Sequence, residues 1–323
     1  DFIIDPLSID DLAPLEAVFS APHIEIVFHA AEADIGALRR DYGFEFNNIF
    51  DTYIAARTLG WPKVGLASIL RSQFGIKLNK RYQQSDWSKR PLSAEKLAYA
   101  QYDTHYLLDL RDIMREQLIA SGYWEEANEY FQQLTKTIIP LKEFDPEGFW
   151  RIRAAQYLSE QGLKHLRALY IWREKKAMQR DTPPFKIMQD QEMIAIAEAS
   201  PRNYDEMMQV QNVSRTLLQR YAKALLRVIL QSLSDPVPLP PANISRPDEQ
   251  VLVRYQLLHQ WRKHKAAERG VESDIILPRD ALWALAYSAP ASHDELARIT
   301  DLWPHRRKIY ANEILSVLGN IEG

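Results

Sequence analysis

The segment LAYAQYDTHYLL, residues 97–108, decides how the rest of this chain is interpreted. Tyr99 and Asp103 lie four positions apart in it, and side chains with that spacing share one face of an α-helix. A phenol and a carboxylate are therefore expected side by side, where they could hold a hard divalent cation and orient a water molecule. By itself the spacing is also typical of an amphipathic helix whose tyrosine is buried.

A second carboxylate follows an apolar stretch nearer the start of the chain. Residues 24–28, IEIVF, are rich in β-branched side chains and predict a strand, and Asp34 comes where the chain turns into a helix. Carboxylates just beyond the carboxyl end of a strand commonly lie in the functional crevice of an α/β sheet. An acid in the first turn of a helix also complements the helix dipole, so Asp34 alone does not define a site.

The pattern along the chain changes near residue 120. Short apolar strands alternate with helices before that point, which predicts an α/β domain, whereas the pattern beyond it is helical. Residues 233–247 contain five prolines and predict an extended spacer. We therefore divide the chain into an α/β domain (1–120), a helical connector (121–148), a first helical domain (149–232), the proline-rich linker (233–247) and a second helical domain (248–323).

The two helical domains are copies of one another. A shift of 89 positions without a gap aligns identical residues: Trp172-Arg173 with Trp261-Arg262, Ile187 with Ile276, Pro201 with Pro290, and Tyr221-Ala222 with Tyr310-Ala311. A period near 90 is too long for a solenoid, so two tandem compact domains are predicted. We expect the two repeated tryptophans to be core anchors, since the repeat preserves their helical positions.

Charge is unevenly distributed in a chain whose net charge is only -3. Residues 151–180 hold eight basic side chains and two acidic ones. Such a face suggests a polyanionic partner, although a solvated helix surface has the same composition. The candidate nucleic-acid-binding positions recur in both copies: Arg173, Lys175 and Lys176 in the first, and Arg262, Lys263 and Lys265 in the second.

Composition excludes several other kinds of site. The chain has no cysteine, so disulfides, thiolate metal sites and cysteine nucleophiles are excluded. No apolar run approaches the ~18 residues that would suggest a membrane span, and no secretory signal is visible. We therefore expect a cytoplasmic protein, with no membrane partner, that works as a monomer.

Taken together, the motifs resemble a known enzyme superfamily. They are His29-x4-Asp34 after a strand, the turn NIFDT at 48–52, DWSKRPLS at 86–93, and Tyr99-x3-Asp103. This set resembles the DEDD 3'-to-5' exonucleases in their DEDDy subtype, and within them ribonuclease D and its exosome relatives. The helical copies resemble the HRDC domain. The implied fold is an α/β ribonuclease H-like domain followed by two all-α HRDC bundles.

The resemblance implies hydrolysis with two divalent metal ions, Mg²⁺ or Mn²⁺, at the scissile phosphate. By motif, Asp34 and Asp103 are metal ligands and Tyr99 positions the attacking water. His29 is expected to shape the end of the strand, and the place of Asp51 before a helix predicts a helix cap. The implied reaction trims RNA 3' ends, such as those of tRNA precursors.

One part of the family pattern is absent. No Asp-x-Glu occurs before Asp34, and the chain begins without methionine inside a predicted strand. We therefore expect an N-terminally truncated exonuclease domain that lacks its first strands and two of its four acids, is inactive as it stands and unfolds before the helical domains. The alternatives are a non-catalytic protein that keeps the fold and binds nucleic acid, and an exonuclease that acts on DNA.

Overall fold

The computed structural model describes residues 1–9, 11–78, 80–83, 85–138, 144–241, 247–299 and 302–319. The chain divides into two compact units. Unit 1 combines Asp1–Leu141 with Pro247–Gly323, and unit 2 is Lys142–Arg246. The predicted linker lies partly outside the described residues, which stop at 241 and resume at 247.

Unit 1 begins with an α/β arrangement. Its strands are β1 (Ile26–Phe28) and β2 (Ile49–Asp51), which pair in parallel with Ile26 opposite Ile49 and Phe28 opposite Asp51. Parallel pairing puts the carboxyl ends of both strands at one edge of the sheet. The helices are α1 (Glu16–Phe19), α2 (Glu32–Tyr42), α3 (Thr52–Thr58), α4 (Leu66–Phe74), α5 (Ala94–Tyr102), α6 (Leu107–Ala120) and α7 (Trp124–Leu134).

The core of this part lies between the strands and the helices that follow them. Leu110, Met114 and Leu118 recur every four residues along α6 and are fully buried, as expected for the inward stripe of an amphipathic helix. They pack in one cluster with Phe50 of β2 and Phe131 of α7. The chain turns after Tyr102, where α5 ends, and α6 begins at Leu107.

Unit 2 contains the first helical copy. Its helices are α8 (Glu160–Gln179), α9 (Pro184–Ile187), α10 (Asp190–Ala199), α11 (Tyr204–Met208) and α12 (Arg215–Ser232), preceded by two 3-10 turns at Gly148–Arg151 and Arg153–Tyr157. The core is apolar and fully buried at Leu166, Leu169, Met193 and Ile196.

The second helical copy belongs to unit 1. Its helices are α13 (Glu249–Arg269), α14 (Ser273–Ile276), α15 (Arg279–Ser288), α16 (His293–Ala297) and α17 (Pro304–Gly319). The bounds of α14, α15 and α16 are those of α9, α10 and α11 shifted by 89 positions. Each copy also places its tryptophan edge-on to the tyrosine of its last helix, with ring centroids 5.2 Å apart for Trp172 and Tyr221, and 5.5 Å apart for Trp261 and Tyr310. These findings confirm that the helical domains are copies.

A charged interface joins the second helical copy to the α/β part within unit 1. Arg306 of α17 is fully buried, donates to Glu129 of α7 at 2.5 Å and lies 3.7 Å from Glu126. Arg269, at the end of α13, donates to Glu126 at 2.6 Å, and its guanidinium lies 4.0 Å from the centre of the Tyr123 ring. Pairing satisfies charges that would otherwise be costly to bury. The sequence predicts these domains as separate, so the contact between them is a finding of the structure.

No helix in the described ranges is long and apolar enough to cross a membrane.

Candidate functional site

A cavity of about 750 Å³ in unit 1 brings together the predicted site residues Asp34, Tyr99 and Asp103. His29 also lines it, as does Trp87. The first turn of α4, residues 65–68, forms another part of the wall. The carboxyl end of β1, the start of α2, and α5 therefore meet at one place, although these segments are far apart in the sequence.

Asp51 fixes the turn that leads to Asp34. Its side chain, 1% exposed, accepts the backbone N–H groups of Tyr53 and Ile54 as the N-cap of α3. It also accepts the N–H groups of Ala30 at 3.1 Å and Ala31 at 2.7 Å. Ala30 has φ of 62°, a left-handed conformation that a residue with a Cβ adopts only when its surroundings stabilise it. The prediction that Asp51 caps a helix is confirmed. The Asp51 side chain additionally holds the residues that precede α2.

His29 is oriented by the same strand end. Its Nδ1 lies 2.9 Å from the Thr52 hydroxyl, which donates to the carbonyl of Phe28 at 2.9 Å. Because the hydroxyl proton is committed to that carbonyl, Nδ1 is assigned as the donor and Nε2 keeps its lone pair. Burial lowers the pKa of His29, which favours the neutral ring. These contacts fit the expected role of shaping the end of the strand.

Tyr99 and Asp103 occupy the last turn of α5 and its C-cap. Ser93 caps the N-terminus of the helix, and the ring of Trp87 lies 6.0 Å from that of Tyr99. Burial and the nearby charge of Asp103 raise the pKa of Tyr99, so the phenol keeps its proton at neutral pH. The hydroxyl is therefore able to donate a hydrogen bond to a water molecule in the cavity.

The cavity has no cationic partner for its two carboxylates among the described residues that line it. Loss of hydration raises the pKa of Asp34, with a further contribution from the charge of Asp51, and it raises the pKa of Asp103. An uncompensated pair of carboxylates at one cavity is the environment that a bound cation would neutralise. Within the described ranges, no group of three or more acidic or histidine side chains has the geometry of a complete metal site.

These donors fit a Mg²⁺-like cation better than a metal enclosed entirely by protein ligands. Mg²⁺ is typically held by one or two carboxylates and completes its coordination with water and phosphate oxygens. Asp34 and Asp103 would supply the two carboxylates. The second ion that the resemblance implies would need further acids, and no Asp-x-Glu precedes Asp34 in this sequence.

The predicted basic face is smaller than the sequence suggested. Arg173 is 7% exposed, donates to Asp190 at 2.5 Å and to Glu174 at 3.0 Å, and so holds the first copy together. Arg262 is 8% exposed and donates to the carbonyl of Leu277 at 2.8 Å. Both guanidinium groups are buried and offer little surface to a nucleic acid, so the assignment of these two arginines stays a prediction.

The lysines of the predicted face differ in how free they are. Lys265 pairs with Glu313 at 3.0 Å and Glu268 at 3.3 Å. Lys176 donates to Gln179 at 3.1 Å, while Lys175 and Lys263 are exposed. An accessible cationic surface thus remains at the lysines of the two copies, rather than at the arginines.

Two features of the cavity are not predicted by the sequence. One is Trp87, although the segment DWSKRPLS that contains it was singled out; only the fold shows that its ring faces Tyr99. The other is the first turn of α4, where Gly65 is the N-cap and no side chain caps the helix. Neither feature has a sequence signal beyond a glycine before an apolar helix.

Comparison with known families and proteins gives a consistent result. Residues 1–119 match the family model described as 3'-5' exonuclease, and residues 163–229 and 251–318 each match the HRDC domain. The exosome complex component 10 homolog of Caenorhabditis elegans is 33% identical over 72% of this chain and 27% of its own length. Ribonuclease D of Acidiphilium cryptum is 31% identical over 70% of this chain and 58% of its own length.

The fold also matches a solved structure. The Escherichia coli RNase D crystal structure aligns with a TM-score of 0.66 and 23% identity, covering 98% of this chain and 84% of that one. The chain nevertheless spans only 27% to 48% of the length of the first two curated relatives.

Proposed function

Since this chain carries a domain of the 3'-5' exonuclease family followed by two HRDC domains, we propose that it is built to remove nucleotides from the 3' end of RNA. The observation that carries the proposal is the meeting of Asp34, Asp103 and Tyr99 at one cavity. The three residues come from two separate sequence motifs, His29-x4-Asp34 and Tyr99-x3-Asp103. Relatives named ribonuclease D and exosome exonuclease support RNA rather than DNA as the substrate.

Asp34 and Asp103 would hold a divalent cation, Mg²⁺ or Mn²⁺, through carboxylate oxygens. When bound, such ions activate water and stabilise charge on the leaving 3' oxygen of the phosphodiester. Tyr99 orients the attacking water by a hydrogen bond from its protonated phenol. His29 and Asp51 keep the strand end in place, so that Asp34 faces the cavity.

A two-ion mechanism needs more acidic ligands than this sequence offers around the cavity. Two dications about 4 Å apart repel each other strongly, and several carboxylates are required to offset that repulsion. We therefore expect these 323 residues alone to bind RNA without cutting it, and cleavage to appear once an Asp-x-Glu segment pairs with β1.

The substrates that we propose are RNAs with single-stranded 3' tails, of which tRNA precursors are one class. Lys175 in the first copy and Lys263 in the second are both exposed and could contact backbone phosphates. We further propose a cytoplasmic monomer as the working form, since Asp34, Tyr99 and Asp103 line one cavity of a single chain.

The decisive experiment compares this chain with a chimera in which the opening strands of a ribonuclease D relative precede Asp5. Both are incubated with a 5'-labelled RNA bearing a 3' tail, in Mg²⁺ or Mn²⁺. We expect progressive shortening by the chimera, its loss in Asp34→Asn and Asp103→Asn, and a large decrease in Tyr99→Phe. Asp109→Asn, which changes an exposed acid on α6, is the matched control.

The same experiment tests the alternative of a non-catalytic nucleic-acid-binding protein. The absence of an Asp-x-Glu before Asp34 is the observation that favours this alternative. A chimera that binds the tailed RNA in both metals but leaves its length unchanged would reject the exonuclease proposal and support binding alone.

A further inference from the structure

We propose that the second helical copy positions the candidate site, acting through helix α3. Contacts at the C-terminal end of α3 join it to the second copy, and contacts at its N-terminal end hold the turn that carries Asp34. Arg57 and Asp51 are then positioning residues at the two ends of α3. The proposal rests on the proposed function for its catalytic meaning, but its structural part is testable without any nuclease activity.

The first link is the attachment of the second copy to the end of α3. Arg57, whose side chain is 11% exposed, donates to Glu272 at 2.6 Å and to both carboxylate oxygens of Asp274, at 2.6 and 2.7 Å. Arg269 donates to the carbonyl of Thr58, one of the orphan acceptors at the helix C-terminus, at 3.2 Å. Two acids and one base of the second copy thus complete a helix end that belongs to the α/β part.

Close backbone packing accompanies these polar contacts. A Cβ built on Gly60 would lie 3.0 Å from the carbonyl oxygen of Gly270, and Gly60 has φ of 72°. Glycine is required at Gly60 both for this conformation and for the close approach. The second copy therefore lies directly against the segment that ends α3, with no layer of side chains between the two backbones.

The second link is the rigidity of α3 itself. The helix runs from Thr52 to Thr58 and spans only about 10 Å, so a displacement at one end reaches the other. Five of its seven residues are buried: Thr52, Ile54, Ala55, Ala56 and Thr58. Close packing transmits such displacements instead of absorbing them.

The third link runs from the start of α3 to the candidate site. Asp51 accepts the N–H groups of Ala30 and Ala31, and the hydroxyl of Thr52 bridges His29 and the carbonyl of Phe28. Asp34 follows within the first turn of α2. Each step from the second copy to Asp34 is thus a direct hydrogen bond, an ion pair, the short helix α3 or the first turn of α2.

Hydrogen exchange of backbone amides gives a direct test on the chain as it exists. The double variant Glu272→Gln and Asp274→Asn removes both acidic partners of Arg57 while keeping their shapes. We expect at least tenfold faster exchange at Ala30 and Ala31, because their protecting acceptor Asp51 shifts with α3. Exchange within α15 should be unchanged, which shows that the second copy remains folded.

Two further variants make the result specific. Glu249→Gln with Asp280→Asn also neutralises two acids of the second copy, but both are exposed and away from Arg57, so exchange at residues 30–35 should stay at the wild-type rate. Glu272→Asp with Asp274→Glu keeps both charges and should restore protection. In the active chimera, the neutralised variant should lower kcat about tenfold and change KM less than twofold, since the lysines that contact RNA are untouched.

Unchanged exchange at Ala30 and Ala31 in the neutralised variant would overturn the proposal, whether or not exchange at 52–58 increases. An equal increase in the exposed-acid control would also overturn it, because the effect would then reflect net charge. A chimera that cuts no RNA, combined with the expected exchange pattern, would reject the proposed function and leave the positioning role in place.

Discussion

Arg306→Met offers the sharpest test of what joins the second helical copy to the α/β part. The side chain is fully buried, and its partner Glu129 is 9% exposed. The guanidinium donates to Glu129 at 2.5 Å and to the carbonyl of Ile275 at 3.0 Å. It also lies 4.3 Å from the ring centre of Tyr130. Methionine keeps much of the stem but removes all of these polar contacts.

The expected loss in the free energy of unfolding follows from the Glu129 carboxylate, which Arg306→Met leaves without its ion-pair partner. Without Arg306, Glu129 keeps one hydrogen bond, from the backbone N–H of His305 at 2.6 Å, while its charge remains out of water. Removing one partner of a buried ion pair typically costs about 3 to 5 kcal/mol. Both groups are nearly or wholly buried, so no reduction for solvent screening applies. For a unit of this size, the corresponding decrease in Tm is about 6 to 20 °C.

A second variant separates the ion pair from loss of packing. In Arg306→Met with Glu129→Gln, the amide oxygen can still accept from His305, but no unpaired charge is buried. We expect this double variant to be more stable than Arg306→Met alone by at least about 1 kcal/mol, although it carries one more substitution.

Calorimetry of the whole chain provides the assay, with unit 2 as an internal reference. Because the second copy shares unit 1 with residues 1–141, we expect those segments to unfold together, unlike the separate unfolding that the sequence suggested. The transition of unit 1 should move and that of unit 2 should stay. A cost below about 1 kcal/mol for Arg306→Met, or a double variant less stable than the single one, would refute the reasoning.

Three further outcomes are expected. Burial raises the pKa of Asp34 and Asp103, so their ionised forms are disfavoured in the folded protein. Asp34→Asn and Asp103→Asn should therefore each raise Tm at pH 7 without divalent ions. This gain should vanish below about pH 4, because the carboxyl groups are then protonated in the unfolded chain as well as in the folded one. Burial lowers the pKa of His165, so the stability of unit 2 should be complete above about pH 6.5, decrease as pH falls from there to the folded pKa, and level off below it. Thermal melts of His165→Gln should lack this decrease. Lys175→Glu with Lys176→Glu should weaken RNA binding and reduce its salt slope by roughly 1 to 2 units, measured by titration from low to high salt, whereas an unchanged slope would place both lysines outside the interface.

The parts of the fold that the sequence predicted are those determined locally. The i to i+4 spacing of Tyr99 and Asp103 survives although the chain turns after Tyr102, because the C-cap Asp103 keeps helical dihedrals. Asp51 was predicted as a cap from its place before Thr52, and a cap needs only the next few residues. Its second role, at Ala30 and Ala31, depends on the parallel pairing of β1 with β2, and no local pattern reports that pairing.

The local charge pattern did not predict which side chains of the basic face are exposed. Arg173 and Lys175 are two positions apart in one run of charges, yet Arg173 is buried and Lys175 is exposed. The alignment of the copies already favours burial, because Arg173 and Arg262 directly follow the two repeated tryptophans that are predicted core anchors. An arginine that both copies keep next to a core residue is better explained by a structural role that the copies share. In each copy the arginine does donate to a backbone carbonyl of its own domain.

Sequence differences between the two copies also indicate the interface in unit 1. A shift of 89 sets Arg306 against Leu217, which is 5% exposed in the core of the first copy. The same shift sets Glu272 and Asp274 against Pro183 and Phe185. An arginine in place of a core leucine is tolerable only where a carboxylate pairs with it, and the two acids at the start of α14 likewise need a base. Glu129 and Arg57 of the α/β part meet these two requirements. The identical residues reveal that the domains are copies. The residues that differ between the copies indicate which copy packs against the α/β part and at which positions.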